Sequence, residues 1–312
     1  MQAADGQYFN SFNAFMRKRF GGRTAKISLD LGVPCPHRLQ HPPGCIYCRP
    51  HIIMPEQQSR AGDITAQLNR GIEQVGRRYD CERFIAYFQN ETNTAGETGW
   101  LTEQFKLAAD NEKVVGLIIS TRPDCIDEIL LDRMAEIAQS KPLWLELGLQ
   151  STHDQTLQRI NRGHSLADFE RALAMANIRG LPVGVHMILG LPGETPAMMA
   201  QSFTRLAAIP IDSLKIHHMQ VYADTKLEQM WRTAEFKLID DIGDYIPLVA
   251  DLLELLPWRI RIQRIVADSP QKVLLAPKWN LNKNIIIKML EDEFARRGSR
   301  QGSRSTEDNG IH

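Results

Sequence analysis

Apolar residues recur along the chain in two spacings. Short, nearly unbroken apolar runs occupy Arg83–Phe88, Val114–Ser120, Leu143–Leu149, Pro182–Leu189 and Ser213–Tyr222, preceded by a weaker run at Lys26–Asp30. Between them, apolar positions fall three or four residues apart, as in Ile64, Leu68, Ile72 and Val75. The first spacing suits strands buried on both faces, and the second suits helices with one apolar stripe. Helices are predicted over Asp63–Arg78, Thr102–Asp110, Asp124–Gln139, Asp154–Ile160, Leu166–Arg179 and Pro196–Ala208. Asp63 stands where an N-cap belongs, and Gly180 where a helix stops. Six strand–helix repeats without a long break are the signature of a parallel sheet. The expected fold class is α/β, a partial (β/α)6 TIM-like barrel spanning residues 25–222.

The flanks read differently. Residues 1–24 form a helical and basic segment: a helix over Asn10–Phe20 turns Phe12, Phe15 and Met16 inward and leaves Arg17, Lys18 and Arg19 in solvent or against an anion. Residues 223–297 form a small α/β extension with helices near 225–235, 241–255 and Asn284–Arg297 and a strand at Trp258–Val266. The polar, Gly- and Ser-containing stretch 298–312 is expected to be disordered.

Composition narrows the function classes. The chain carries 37 basic and 37 acidic residues, so no global field marks it for nucleic acid or an anionic membrane. There is no apolar leader and no apolar run of the roughly 18 residues a membrane span needs. A cytoplasmic protein without membrane contact is expected.

Three of the five cysteines, Cys35, Cys45 and Cys48, fall in one Pro-, Gly- and His-containing loop directly after the first strand. Their spacing allows three readings: a zinc site completed by His37, His41 or His51, a redox Cys-x-x-Cys pair, or an iron–sulfur cluster with one iron left open. Cys81 and Cys125 stand apart and read as small semi-buried residues. Because the loop follows a strand, it lies on the rim where barrel folds build sites. The same rim collects Gln89 and Thr92, then Ser120, Arg122 and Asp124, then Glu146 and Gln150. His186, Lys215 and the adjacent pair His217 and His218 complete it. Glu146 lies within an apolar strand and needs a partner, for which Arg122 is the candidate. Of His217 and His218, only one can face the barrel interior. No Walker-type loop, Gly-x-Gly-x-x-Gly fingerprint or Gly-x-Ser-x-Gly elbow is present.

Together these features resemble the radical S-adenosylmethionine (SAM) superfamily, in particular its YhcC-like members and, more distantly, the elongator catalytic-subunit branch and oxygen-independent coproporphyrinogen oxidase. The resemblance rests on Cys35-Pro-His-Arg with Cys45-x-Tyr-Cys48, Ala86-Tyr-Phe-Gln89 with Thr92-Asn-Thr94, and Ser120-Thr-Arg-Pro-Asp-Cys125. It extends through Leu145-Glu-Leu-Gly-Leu-Gln-Ser151, Ile160-Asn-Arg-Gly-His164 and Gly190-Leu-Pro-Gly-Glu194. Nine residues separate the first two cysteines where the superfamily's commonest spacing has three, and the longer spacing resembles the elongator-like branch.

The resemblance implies a [4Fe–4S] cluster on Cys35, Cys45 and Cys48, with SAM chelating the open iron. Reductive cleavage of SAM would then yield a 5′-deoxyadenosyl radical that takes a hydrogen from substrate. It implies cofactor contacts from Gln89, Thr92, Ser120, Gln150, Arg162, His186 and Lys215, with Arg162 facing the SAM carboxylate. It implies a one-electron reductant such as flavodoxin or ferredoxin, and no catalytic residue is assigned. The elongator likeness, with the basic stretches Arg17 to Lys26 and Arg259-Ile-Arg261-Ile-Gln-Arg264, points to a tRNA wobble uridine. The chain as given is too short for an acetyltransferase domain after the barrel. A small metabolite or tetrapyrrole is the alternative substrate, and a non-enzymatic iron–sulfur or zinc partner-binding module the alternative class.

Overall fold

The structure, a computed structural model, describes residues 6–49, 63–267 and 272–306. His51 and the last residues of the tail lie outside them.

The first helix, α1 (Phe12–Arg19), is capped by Ser11, whose hydroxyl accepts from the Ala14 amide. It precedes β1 (Thr24–Leu29). The cysteine loop follows and contains a five-residue helix, α2 (Pro36–Gln40), where the proline density predicts irregular chain. Pro36 stands at its first turn, the one helical position where a missing N–H costs nothing. Then come α3 (Ile64–Tyr79), capped by Asp63 as expected, β2 (Arg83–Phe88), α4 (Thr98–Ala109) and β3 (Val114–Thr121). A single 3-10 turn at Pro123–Cys125 precedes α5 (Glu128–Ala138) and β4 (Leu143–Gln150). The sequence continues through α6 (Asp154–Arg159), α7 (Leu166–Ile178), β5 (Val183–Leu189), α8 (Pro196–Ala207), β6 (Ser213–His218) and the two-residue β7 (Val221–Tyr222). It ends with α9 (Lys226–Arg232), α10 (Ile242–Glu254), β8 (Arg261–Arg264), β9 (Leu274–Ala276) and α11 (Lys283–Arg297).

Seven parallel strands make the main sheet in the order β1-β2-β3-β4-β5-β6-β8. Sequential parallel strands joined by helices form a partial TIM-like barrel, the expected fold class. The strand predicted within Trp258–Val266 is β8, and it forms the seventh strand of this sheet, with Ser213 beside Arg261 and Leu214 beside Ile262. The N-terminal segment joins that same edge: Asn10 accepts the Ile262 amide at 2.7 Å.

Strand alternation divides the core into two layers. Phe84, Ala86 and Phe88 on β2, Leu117 and Ile119 on β3, and Leu145 and Leu147 on β4 face the outer helices. Their neighbours Ile85, Tyr87, Ile118 and Trp144 face inward and pack on Phe12 and Met16 of α1. The N-terminal helix therefore closes the base of the barrel interior, with its basic residues Arg17, Lys18 and Arg19 left exposed. This is why the strand interiors read as unbroken apolar runs.

The expectation of disorder from residue 298 fails over 298–306. Gly298 adopts a left-handed conformation (φ 65°) that ends α11 and turns the chain back over the barrel edge. Gln301 is buried there: its side-chain amide donates to the carbonyls of Pro257 (2.9 Å) and Ile260 (2.8 Å), and its carbonyl accepts from the Asn10 amide (2.9 Å). One polar side chain satisfied at every position can tie both ends of the chain together, which composition does not reveal.

Candidate active site

The inner faces of five adjacent strands place Tyr87, Ser120, Glu146, His186 and Lys215 in the wall of one cavity of about 220 Å³. Registry brings neighbours together: Ser120 pairs with Glu146 across β3 and β4, and His186 with Lys215 across β5 and β6.

Glu146 is the hub of this layer. Its Oε2 accepts from Tyr87 (2.6 Å), Ser120 (2.6 Å) and Lys215 (2.9 Å). The expected partner Arg122 is committed elsewhere: it forms two bonds of 2.9 Å to Asp124 and donates to the Arg162 carbonyl at 2.8 Å. The partner of Glu146 is Lys215, 69 residues away in sequence and one strand beyond β5. Burial alone would raise the Glu146 carboxyl, but the Lys215 and Lys26 charges and the hydroxyls of Ser120 and Tyr87 hold it well below the usual range. Burial, with the Glu146 carboxylate beside it, pushes the Tyr87 phenol up, so Tyr87 keeps its proton. Burial and the Lys215 charge push His186 well down and leave it a neutral imidazole. Burial lowers Lys26 to about 7 against the partial support of Glu146.

Of the two adjacent histidines, His217 lines the cavity and lies edge-on to His186 with ring centroids 4.1 Å apart. His218 points outward, packs against Trp279 with ring planes tilted by 31° and meets Tyr245 edge-on.

The cysteine loop forms the rim and is held from three sides. Arg38 pairs with Glu91 (2.7 Å to Oε1), and Glu91 also accepts the Cys35 amide at 2.8 Å. Asn161 donates to the Gly44 carbonyl at 2.7 Å, and its own carbonyl accepts from His37 Nε2 at 2.8 Å. The Ile46 carbonyl accepts the Leu227 amide at 2.9 Å. His37 packs on Gly163, where a Cβ would come within 2.2 Å of its ring. Its Nε2 is thereby held by backbone. Among the described residues, no three His, Cys, Asp or Glu side chains converge tightly enough for a single metal ion.

Cys35, Cys45 and Cys48 all line the cavity, and so do Gln89, Thr92, Gln150 and Arg162 with the three inner-layer residues Ser120, His186 and Lys215. Cys81 and Cys125 do not. Arg162 is buried, and its guanidinium donates to the Gly148 carbonyl (2.6 Å), to His164 Nε2 (2.9 Å) and to the Cys45 sulfur (3.6 Å). Its planar fork is thus directed at His164, Cys45 and the β4 backbone. Gln150 has a left-handed backbone (φ 78°) at the end of β4, a conformation that costs a non-glycine residue about 1 kcal/mol. Tyr87, Glu91 and Arg38 line the site beyond the rim residues read from the sequence, and His217 is the member of the histidine pair that joins them. Tyr87 had one signal, a hydroxyl within an apolar strand, whereas Arg38 and Glu91 meet across 53 residues with no pattern to announce it.

Six buried polar atoms on residues lining this one cavity have no hydrogen-bond partner: Tyr47 Oη, Thr92 Oγ1, Arg122 Nη1, Glu146 Oε1, Gln150 Oε1 and His186 Nε2. Buried polar groups are rarely left unsatisfied, so their concentration marks a place for a polar ligand. Three thiols at the mouth add a donor set for iron, and burial with the neighbouring Cys45 pushes the Cys48 thiol up to about 11 in the metal-free protein. Arg162 at Cys45 and the Arg38 charge near Cys48 and Cys35 supply positive charge that thiolates need. The residues present fit a cluster and a polar cofactor.

The second basic stretch is not a free cationic face. Arg259 donates to the Ala207 carbonyl (2.6 Å), Arg261 pairs with Asp212, and Arg264 donates to His217 Nε2 (2.8 Å). No helix among the described residues is long and apolar enough to cross a membrane.

Comparison with known proteins agrees with this geometry. Residues 34–206 match the radical SAM superfamily and residues 211–296 its Radical_SAM C-terminal domain. Protein YhcC of Escherichia coli is 34% identical over 277 residues, covering 88% of each chain. A tRNA uridine(34) acetyltransferase of Methanocaldococcus infernus is 30% identical over 189 residues, 59% of this chain but only 34% of that protein. The structure of Elp3 from the same archaeon, truncated at its N-terminus, superposes with a TM-score of 0.69 over 90% of this chain and 64% of that one, at 22% identity. This chain therefore spans less than two thirds of that solved chain and about a third of the acetyltransferase. With its first-strand cysteine loop, its parallel partial barrel and a superfamily match across more than half its length, the chain belongs to the radical SAM superfamily of enzymes.

Proposed function

We propose that Cys35, Cys45 and Cys48 hold a [4Fe–4S] cluster, that SAM binds beside it in the same cavity, and that the enzyme acts on a uridine of tRNA, most specifically at the wobble position. The observation that carries the reading is the meeting of three thiols and six unpartnered buried polar atoms around one cavity of the parallel barrel. When bound, the cluster and SAM supply the one-electron chemistry that removes a hydrogen atom from a substrate carbon.

The chain's own residues do the remaining work. Arg38 and Arg162 offset the charge of the thiolates. Thr92 and Gln150 offer acceptors to the donor groups of SAM, and the strained turn at Gln150 holds its amide in place. Helix α1 and the inner apolar layer keep water from entering through the base. Tyr87 keeps its proton and orients Glu146.

The tRNA half of the reading rests on the similarity to a tRNA uridine(34) acetyltransferase and on the exposed Arg17, Lys18 and Arg19. A flavodoxin or ferredoxin as reductant and a cytoplasmic location accompany it.

Anaerobic reconstitution tests the chemistry. The iron-loaded protein with dithionite and SAM is expected to release 5′-deoxyadenosine; a preparation that binds one zinc and releases none overturns the reading. Nucleoside mass spectrometry of tRNA from a deletion strain tests the substrate, and an unchanged profile rejects tRNA.

A further inference from the structure

The floor of the cavity is distinct from its cysteine-bearing mouth. Its two unpartnered atoms, Glu146 Oε1 and His186 Nε2, come from neighbouring strands. Gly184 pairs with Glu146 across β4 and β5, and His186 lies two residues further along β5 on the same face. The two side chains are therefore diagonal neighbours, close enough to grip one small planar group.

Both are fixed in place. Three donors converge on Glu146 Oε2, from Tyr87, Ser120 and Lys215, so the carboxylate cannot rotate without breaking them and Oε1 is left as the free acceptor. His186 stands edge-on to His217, which is itself held by Arg264 at 2.8 Å.

Charge selects what can enter. A ligand ammonium would meet the Lys215 amine already bound to the same carboxylate, with Lys26 and Arg264 nearby. A ligand carboxylate or phosphate would meet the free oxygen of Glu146. What remains is a neutral N–H donor beside a carbonyl acceptor, the edge of a lactam or imide ring.

We infer that the floor of the cavity is a substrate subsite that reads such an edge, with Glu146 Oε1 accepting the ring N–H and His186 Nε2–H donating to the adjacent carbonyl. The inference rests on the uridine reading above, because the N3–H and C4 carbonyl of uracil form such an edge, and it assigns the residues that recognise it. Ser120 and Lys215 then serve the substrate side as positioning residues for Glu146.

The arrangement makes a specific forecast for Glu146→Gln. The three donors that now meet Oε2 will each keep an oxygen in front of them, so the glutamine must turn its NH2 group to the position of Oε1. The acceptor becomes a donor. The base preference should then reverse, because cytosine carries an acceptor at N3 and a donor at C4, and a neutral imidazole can present either tautomer.

The test is equilibrium dialysis of the reconstituted holoprotein with SAM against uridine, 3-methyluridine and cytidine. The wild-type protein should retain uridine at least about tenfold better than 3-methyluridine or cytidine, the loss expected for one hydrogen bond to a charged group. Glu146→Gln should retain cytidine better than uridine. Equal binding of uridine and 3-methyluridine by wild type, no nucleoside binding, or an unreversed preference in a folded Glu146→Gln protein overturns the inference. The wild-type comparison needs no variant, so a Glu146→Gln protein that fails to fold does not shield it. Release of 5′-deoxyadenosine by the same preparation separates the two proposals: if it occurs and nucleosides show no preference, only the subsite falls, and if it does not occur, the cofactor reading falls.

Discussion

Lys215 on β6 and Glu146 on β4 form an ion pair at 2.9 Å in the barrel interior, with side-chain exposures of 5% and 3%. β5 runs between their strands, so the two side chains meet over its inner face. Such a pair is costly to break because the surviving charge is left without solvent. Lys215→Met is expected to lower unfolding stability by about 3–5 kcal/mol. Denaturant titration checks this. The double variant Lys215→Met with Glu146→Leu should recover most of the loss, since it leaves no stranded charge; failure to recover would show that the pair contributes more than charge balance.

Lys26 gives a pH dependence whose sign follows from burial. Its folded-state value near 7 lies below the ordinary lysine value of 10.5, so between these limits the unfolded chain binds more protons. Stability therefore rises with pH across that window. Below about pH 7 the amine is charged in both states and the cost of its burial is fully present. Relative to Lys26→Met, the wild-type protein should gain stability steadily from about pH 7 to pH 10. Denaturation midpoints of both proteins across this range check the trend, and a constant difference would refute it.

The cysteines divide into two groups by position. Cys35→Ala, Cys45→Ala and Cys48→Ala should each abolish SAM cleavage and strip the brown colour from reconstituted protein. Cys81→Ala and Cys125→Ala should retain both, because neither lines the cavity. Iron content and visible absorbance, measured on all five variants, decide this.

Gly163 anchors the cysteine loop from the opposite wall. It has φ +79°, and an added Cβ would sit 2.2 Å from His37 Nδ1. Gly163→Ala is expected to cost about 1–3 kcal/mol in strain and to displace α2. Reduced iron retention under limiting chelator, with the sheet's circular dichroism unchanged, is the expected signature.

Much of the scaffold was legible because one physical rule repeats. Val114–Thr121 and Leu143–Gln150 are buried on both faces, and that is visible as an uninterrupted apolar run. The cap at Asp63 was visible for the same reason, since a local rule needs only local sequence. The seventh strand was legible as a strand, but its place in the main sheet was not. Four residues at Arg261–Arg264 do not state whether they pair with β6 or stand apart.

The α/β alternation, the position of the thiols on the rim and several of the strand-end polar residues that reach the cavity, among them Ser120, Glu146, His186 and Lys215, were legible along the chain. Each follows from spacing along the chain, where strand and helix periods decide which face a side chain takes. Only the tertiary structure decided the partners. It gave Glu146 to Lys215 instead of Arg122, turned Arg162 toward Cys45, engaged Arg259, Arg261 and Arg264 in hydrogen bonds to neighbouring elements, and ordered the chain at Gln301. Long-range polar pairing depends on strand order and register, and a buried hydrogen bond leaves no periodic trace in the residues that make it.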